Sequence, residues 1–282
     1  MIIRRHRGAI VVDRDPGVFR LPVDSVAELL RLSSRDLRLL VESELPAADD
    51  LGEALPPIDG RTEVWASGVT YQRSRSARMH ESADPDIYDR VYEAERPELF
   101  FKSAAWRTVT DGEAIGVRDD SSWNVPEPEL AVLANSAGEI IGYGICNDVS
   151  SRSIEGENPL YLPQAKVYAG ACAVSAGFRP AWEVDPASLG IRLRIEREGA
   201  TIFEDRTGTD RLARTLDGLI SYLYRAENFP DGAWLSTGTG IVPPDEISLR
   251  DGDVVHVEID QLGTLTNTVR VGRSHWDYLE QR

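Results

Sequence analysis

A chain of 282 residues with 41% hydrophobic and 28% charged residues has the composition of a globular protein and can bury a core without staples. Its net charge of -16 repels a phosphate backbone, and with no basic patch of useful length the composition argues against nucleic acid as a partner. No apolar run approaches the roughly 18 residues that span a bilayer, and Met1-Ile-Ile-Arg-Arg-His-Arg-Gly8 lacks the apolar core of a secretory signal, so no membrane contact and a cytoplasmic location are expected. The two cysteines, Cys146 and Cys172, have no C-x-x-C spacing, which excludes a disulfide framework or Cys-rich zinc site and fits two buried thiols in a reducing compartment.

Residues 1–57 read as a small leading α/β domain. A short strand is predicted at Ala9 to Val12 and helical pattern from Asp24 to Leu45. There Val26, Leu29, Leu30, Leu37, Leu40 and Val41 recur at three- and four-residue steps, with Asp24 or Ser25 capping a first helix and Ser33 or Ser34 a second. The acidic, Pro-containing stretch from Pro46 to Pro57 reads as a linker. Beyond it, residues 58–282 form the main domain, rich in strands: Glu63 to Ser67, Leu99 to Lys102, Leu130 to Ala134, Ile140 to Asn147, Ile191 to Glu196, Trp234 to Thr237, Val254 to Ile259 and Leu265 to Val271. Helices are predicted at Val69 to Met79, Ile87 to Glu95 and Arg211 to Arg225, the last with the stripe Leu212, Leu216, Leu219, Ile220 and Leu223. Strands and helices do not alternate regularly, so a β-rich α+β fold, rolled or sandwiched, is expected rather than a doubly wound parallel sheet.

Chemistry enters at Trp123-Asn-Val-Pro-Glu-Pro-Glu-Leu-Ala-Val-Leu133. In an extended chain Glu127 and Glu129 project from one face and can close on one cation, while Pro126 and Pro128 stiffen the approach. A hairpin at Ser136-Ala-Gly-Glu139 would return the apolar run from Ile140 and bring Asp148 beside them. Two glutamates two apart also describe a solvated face, and the third acid is what argues for a site. Three carboxylates without Cys or His form the hard oxygen set that suits Mg2+, Mn2+ or Ca2+ rather than zinc.

Six stretches carry a resemblance: Ser67-Gly-Val-Thr-Tyr71, Tyr88 through Arg-Pro-Glu98-Leu-Phe-Phe-Lys102, Val125-Pro-Glu-Pro-Glu-Leu-Ala-Val132, Asn147-Asp-Val-Ser-Ser-Arg152, Glu157 through Pro-Gln-Ala-Lys166, and Thr237-Gly-Thr-Gly-Ile-Val-Pro243. From about Trp65 onward the sequence resembles the fumarylacetoacetate hydrolase (FAH) superfamily, and within it the dehydratases of 2-keto-3-deoxy sugar acids. The resemblance implies an FAH-type mixed β-roll or sandwich, a metal triad on Glu127, Glu129 and Asp148, and Mg2+ as the ion. It further implies Lys166 on the substrate's oxygen, Thr239 on its carboxylate, Ser67 in the substrate site, Glu98 as acid/base, and a homodimer.

One departure bears on the reaction. Hydrolases and decarboxylases of this superfamily carry a water-activating His in an Asn-Tyr-x-x-His-x-x-Glu pattern, and the matching stretch here, Thr70-Tyr-Gln-Arg-Ser-Arg-Ser-Ala77, has neither that His nor its Glu. His80 and Glu81 follow shortly after and could take their place on a shifted lid. The absence favours dehydration, by enolate formation and loss of the C4 hydroxyl, of an acid such as 2-keto-3-deoxy-D-arabinonate. Acylpyruvate C-C hydrolysis, decarboxylation of a 2-keto diacid, and non-catalytic 2-keto acid binding are the alternatives. His6, His256 and His275 carry no functional signal.

Overall fold

The computed structural model describes residues 1–81 and 85–281. Its organising element is a mixed sheet whose order runs Gly17–Arg20, Ala9–Arg14, Ile2–His6, Gly177–Pro180, Ile140–Asp148, Pro128–Ala134, Ala233–Ser236, Glu63–Gly68 and Glu98–Ala104. All neighbours along that path are antiparallel except Ala233–Ser236 against Glu63–Gly68. A second, five-stranded sheet runs Ala200–Gly208, Gly190–Arg197, Val254–Ile259, Gly263–Val271, Ala114–Val117.

The central strand Pro128–Ala134 is buried throughout, and its alternating side chains feed two cores. Leu130 and Val132 meet Ile191, Leu193, Val255, Val257 and Leu265 of the five-stranded sheet, so the two sheets pack as a sandwich, with Leu219, Ile220 and Leu223 at its margin. Ala131 and Leu133 face the other way, onto Trp234, Phe178 and the leading segment's Ile3, Leu29, Leu30 and Leu37. This is the β-rich α+β fold expected.

Hydrogen bonding crosses residue 57 where Ile3 pairs with Phe178, and within the leading segment Arg5 pairs with Leu55 of the predicted linker. Asp231 fastens the same junction, accepting from Arg31 Nε and Nη2 and from the Arg61 backbone and side chain.

The predicted elements hold with changes at their ends. The two helices expected between Asp24 and Leu45 form as Val26–Leu29 and Ser34–Glu42, with Ser25 and Ser33 as the caps, accepting from Glu28 N and Asp36 N. The predicted helix Arg211 to Arg225 shrinks to Leu216–Leu223, capped by Thr215, and Leu212 bridges to Tyr71 instead. Strands Ile2–His6, Gly17–Arg20, Ala114–Val117, Cys172–Val174, Gly177–Pro180 and Ala200–Gly208 were not predicted. The last of these is an edge strand with no buried residue, so it lacks the apolar alternation that marks a half-buried strand. Among the described residues no helix is long and apolar enough to cross a membrane. Cys146 and Cys172 are free and buried.

Candidate active site and metal centre

The hairpin of Pro128–Ala134 and Ile140–Asp148 assembles the acids. Its turn is set by Asn135, whose Oδ1 accepts from Ala137 N and Glu139 N. The register then pairs Cys146 with Glu129, and Asp148 N donates to the Glu127 carbonyl at 3.0 Å. Residues opposite each other, and residues two apart, share a face. Glu127, Glu129 and Asp148 therefore converge, each with a ligand oxygen within 4.8 Å of the others, and all three are buried.

Burial opposes the charge on Glu127, but Lys166, Arg152 and Arg78 overcome it and hold its carboxyl well below the usual range. Glu129 goes the other way: burial, Asp148 and Glu127 push it well above that range, despite hydrogen bonds from Ser236 Oγ at 2.6 Å and Gly238 N at 2.7 Å. Like charges crowded out of water, in a set offering oxygen alone, fit a hard divalent cation.

Lys166 Nζ donates to Glu127 Oε2 at 2.8 Å, Asp148 Oδ2 at 3.2 Å and Ser150 Oγ at 2.6 Å. Burial works to discharge it, yet Asp148, Glu127 and Glu155 raise its pKa and favour the ammonium form. Lys102 Nζ holds the Lys166 carbonyl at 2.6 Å and the Val149 carbonyl at 2.9 Å, and pairs with Asp148.

Glu98 enters the cavity from the facing strand. Its approach depends on Gly68, where a Cβ would lie 2.0 Å from Glu98 Oε2. Burial, then Glu155, raises its carboxyl to about 7, against the opposing pull of Lys166 and Arg78. Ser67 Oγ donates to the Glu98 carbonyl at 3.0 Å, and Thr239 lines the same cavity with its hydroxyl turned to the Ile241 backbone. Just past Gly68, Val69 takes φ 52°, a left-handed conformation that costs a β-branched residue about 1–3 kcal/mol and marks this bend as constrained.

Ser74, at the position of the missing histidine, donates to the Tyr71 carbonyl at 2.8 Å. His80 does not reach the site: it is 76% exposed and lies 3.6 Å from Asp245. Glu81 does point inward, as an ion-pair partner. Arg78 Nη2 donates to Glu127 Oε1 at 2.6 Å and Nη1 to Glu81 Oε2 at 2.6 Å, with Glu155 at 3.4 Å. Arg152 closes the ring onto Glu81, Glu127 and Glu155.

Lys102, Arg78, Arg152, Glu81 and Glu155 were not predicted as an ion-pair network. Lys102 and Arg152 each end a stretch quoted above, but a charged residue in a sequence reads as solvated, and only packing reveals its burial. The three-residue spacings of Arg78 with Glu81 and Arg152 with Glu155 were the available signal.

A family model for the C-terminal region of fumarylacetoacetate (FAA) hydrolases matches residues 63–270, and the chain belongs to that family. Its relatives include dehydratases. It is 47% identical over 248 residues to a probable 2-keto-3-deoxyxylonate dehydratase of Haloferax volcanii, covering 86% of this chain and 85% of that protein. It is 46% identical over 222 residues to a 2-dehydro-3-deoxy-D-arabinonate dehydratase of Saccharolobus solfataricus, covering 77% and 74%. A solved 2-keto-3-deoxy-D-arabinonate dehydratase, complexed with magnesium and 2,5-dioxopentanoate, matches with a TM-score of 0.81 at 37% identity, over 97% of this chain and 99% of that one. The family resemblance read from the motifs is thereby borne out.

Proposed function

We propose that this protein is a Mg2+-dependent hydro-lyase that dehydrates a 2-keto-3-deoxy sugar acid such as 2-keto-3-deoxy-D-arabinonate, working as a homodimer. The observation that carries this reading is one cavity holding the acidic triad together with Glu98 near neutrality, while Ser74 stands where a hydrolase would place its water-activating histidine. The similarity to dehydratases supports it.

A divalent ion on Glu127, Glu129 and Asp148 supplies Lewis-acid polarisation of a 2-oxo group, which eases loss of the neighbouring C3 proton. Glu98 takes that proton; with a pKa of about 7 it is divided between base and acid forms, and can return the proton to the departing C4 hydroxyl as water. Lys166, held beside Glu127 and Asp148 as a cation, would stabilise the negative charge that gathers on the 2-oxo oxygen. Thr239 and Ser67 position the acid. Loss of the C3 proton and the C4 hydroxyl from a 2-keto-3-deoxy-pentonate leaves a C3–C4 enone bearing the C5 hydroxyl, which tautomerises, by loss of a C5 proton and the hydroxyl proton and protonation at C3 and C4, to 2,5-dioxopentanoate, the compound bound in the related magnesium complex.

The test is incubation of the purified protein and Mg2+ with 2-keto-3-deoxy-pentonate, an acylpyruvate and oxaloacetate. Aldehyde should form from the first alone, and should vanish with chelator and in Asp148→Asn. Faster cleavage of acylpyruvate, or wild-type turnover in Asp148→Asn, would overturn the assignment.

A further inference from the structure

The helix Gln72–Glu81 covers the site, yet it has almost no apolar hold on the molecule. Among its residues Ser74 and Arg78 are the buried ones. Its inward bonds are ionic: Arg78 to Glu127 and Glu155, and Glu81 to Arg152. Its outward neighbour, the helix Pro85–Glu93, is likewise joined through Arg75 to Asp89 and Glu93. Shape complementarity adds one further requirement. At Gly156, in the helix Arg152–Glu157, a Cβ would lie 2.6 Å from the Glu81 carbonyl, so the cover seats fully because that side chain is absent.

Arg78 and a divalent ion want the same carboxylate. Glu127 Oε1 already receives Arg78 and Arg152, and Oε2 receives Lys166. Arg152 and Lys166 come from elements next to the hairpin, whereas Arg78 arrives on the cover. We propose that Arg78 is a positioning residue that latches the helix Gln72–Glu81 to Glu127, so that seating of this cover and divalent-ion binding oppose each other. The inference rests on the metal reading given under Proposed function. A unit charge held beside the triad repels a dication, and by linkage the dication loosens the latch by the same factor.

Calorimetric titration with Mn2+ and hydrogen exchange of the 72–81 amides test it together, in the wild type, Arg78→Gln, Arg78→Lys and Gly156→Ala. Removing the charge should tighten Mn2+ binding by about tenfold, and Arg78→Lys should restore wild-type affinity. Gly156→Ala keeps every charge but unseats the cover, so it should also tighten Mn2+ binding and speed exchange of those amides; it stands in for Arg78→Gln if that variant does not fold. Mn2+ added to the wild type should speed the same exchange. Unchanged affinity in Arg78→Gln and Gly156→Ala, or exchange slowed by Mn2+, overturns the latch while leaving the functional reading in place. A wild type that binds no Mn2+ overturns that reading and the latch with it.

Discussion

The strand hairpin carrying the triad and the helix covering it meet at Glu127 from opposite sides, and different forces hold them. The hairpin is gripped on both faces: Leu130, Val132, Ala131 and Leu133 are all fully buried. Each of the two leucines and the valine contributes roughly 1.5–3 kcal/mol through burial, so the hairpin keeps its register whatever ion is present. The cover has no comparable apolar reserve, since its buried groups are a serine and an arginine. A site built this way has a floor that fixes geometry and a roof that responds to charge.

Substitutions separate the two. Largest should be Lys166→Met, which removes the ammonium from a rigid floor: turnover falls by about a hundredfold to a thousandfold, while calorimetry still detects ion binding. Glu98→Gln comes next, with a loss of about a hundredfold or more in kcat/KM. If Glu98 is the base, wild-type kcat/KM should rise with pH through about 7, because deprotonation creates the active form, and the variant should lose that limb. Gly68→Ala keeps every functional group but drives a methyl into Glu98; a displacement near 1 Å costs up to about a hundredfold in kcat, with KM little changed.

The smallest effect lies far from the site. Asp231→Asn weakens the charged fastening to Arg31 and Arg61 and should cost about 1–2 kcal/mol of stability, discounted because both arginines are largely exposed. The Arg61 hydrogen bond, with help from Arg31, holds the Asp231 carboxyl well below its ordinary value despite burial. That contribution is therefore present above the ordinary carboxylate range and is lost as pH falls below it. Thermal melts across acid pH should show a steeper decline in wild type than in Asp231→Asn. Equal slopes would mean that charge holds the cover but not this junction.

Much of the floor was legible beforehand. Glu-Pro-Glu at a strand entry, a turn at Ser136 to Glu139, and an apolar return ending at Asp148 specify a hairpin through side-chain alternation and local turn chemistry, and both act over short stretches of chain. The cover was legible only in part. The change from histidine to Ser74 could be read, but His80 gave a false lead, because whether a polar helix turns a residue inward depends on what it packs against. Arg78, exposed in any reading by residue type, is buried because Glu81, Glu127 and Glu155 surround it. The edge strand Ala200–Gly208 escaped notice for the same reason, its pairing being with Gly190–Arg197 and not with a pattern of its own.

The sequence by itself determined the family, the β-rich fold class and the identity of the three acids, since each rests on local pattern or on contiguous motifs. The tertiary structure alone decided which cations neutralise Glu127, how far Glu98 is pushed toward neutrality, and that the covering helix is fastened by charge. Those are properties of groups distant in the chain but a few ångströms apart in space, where burial removes the water that would otherwise screen them.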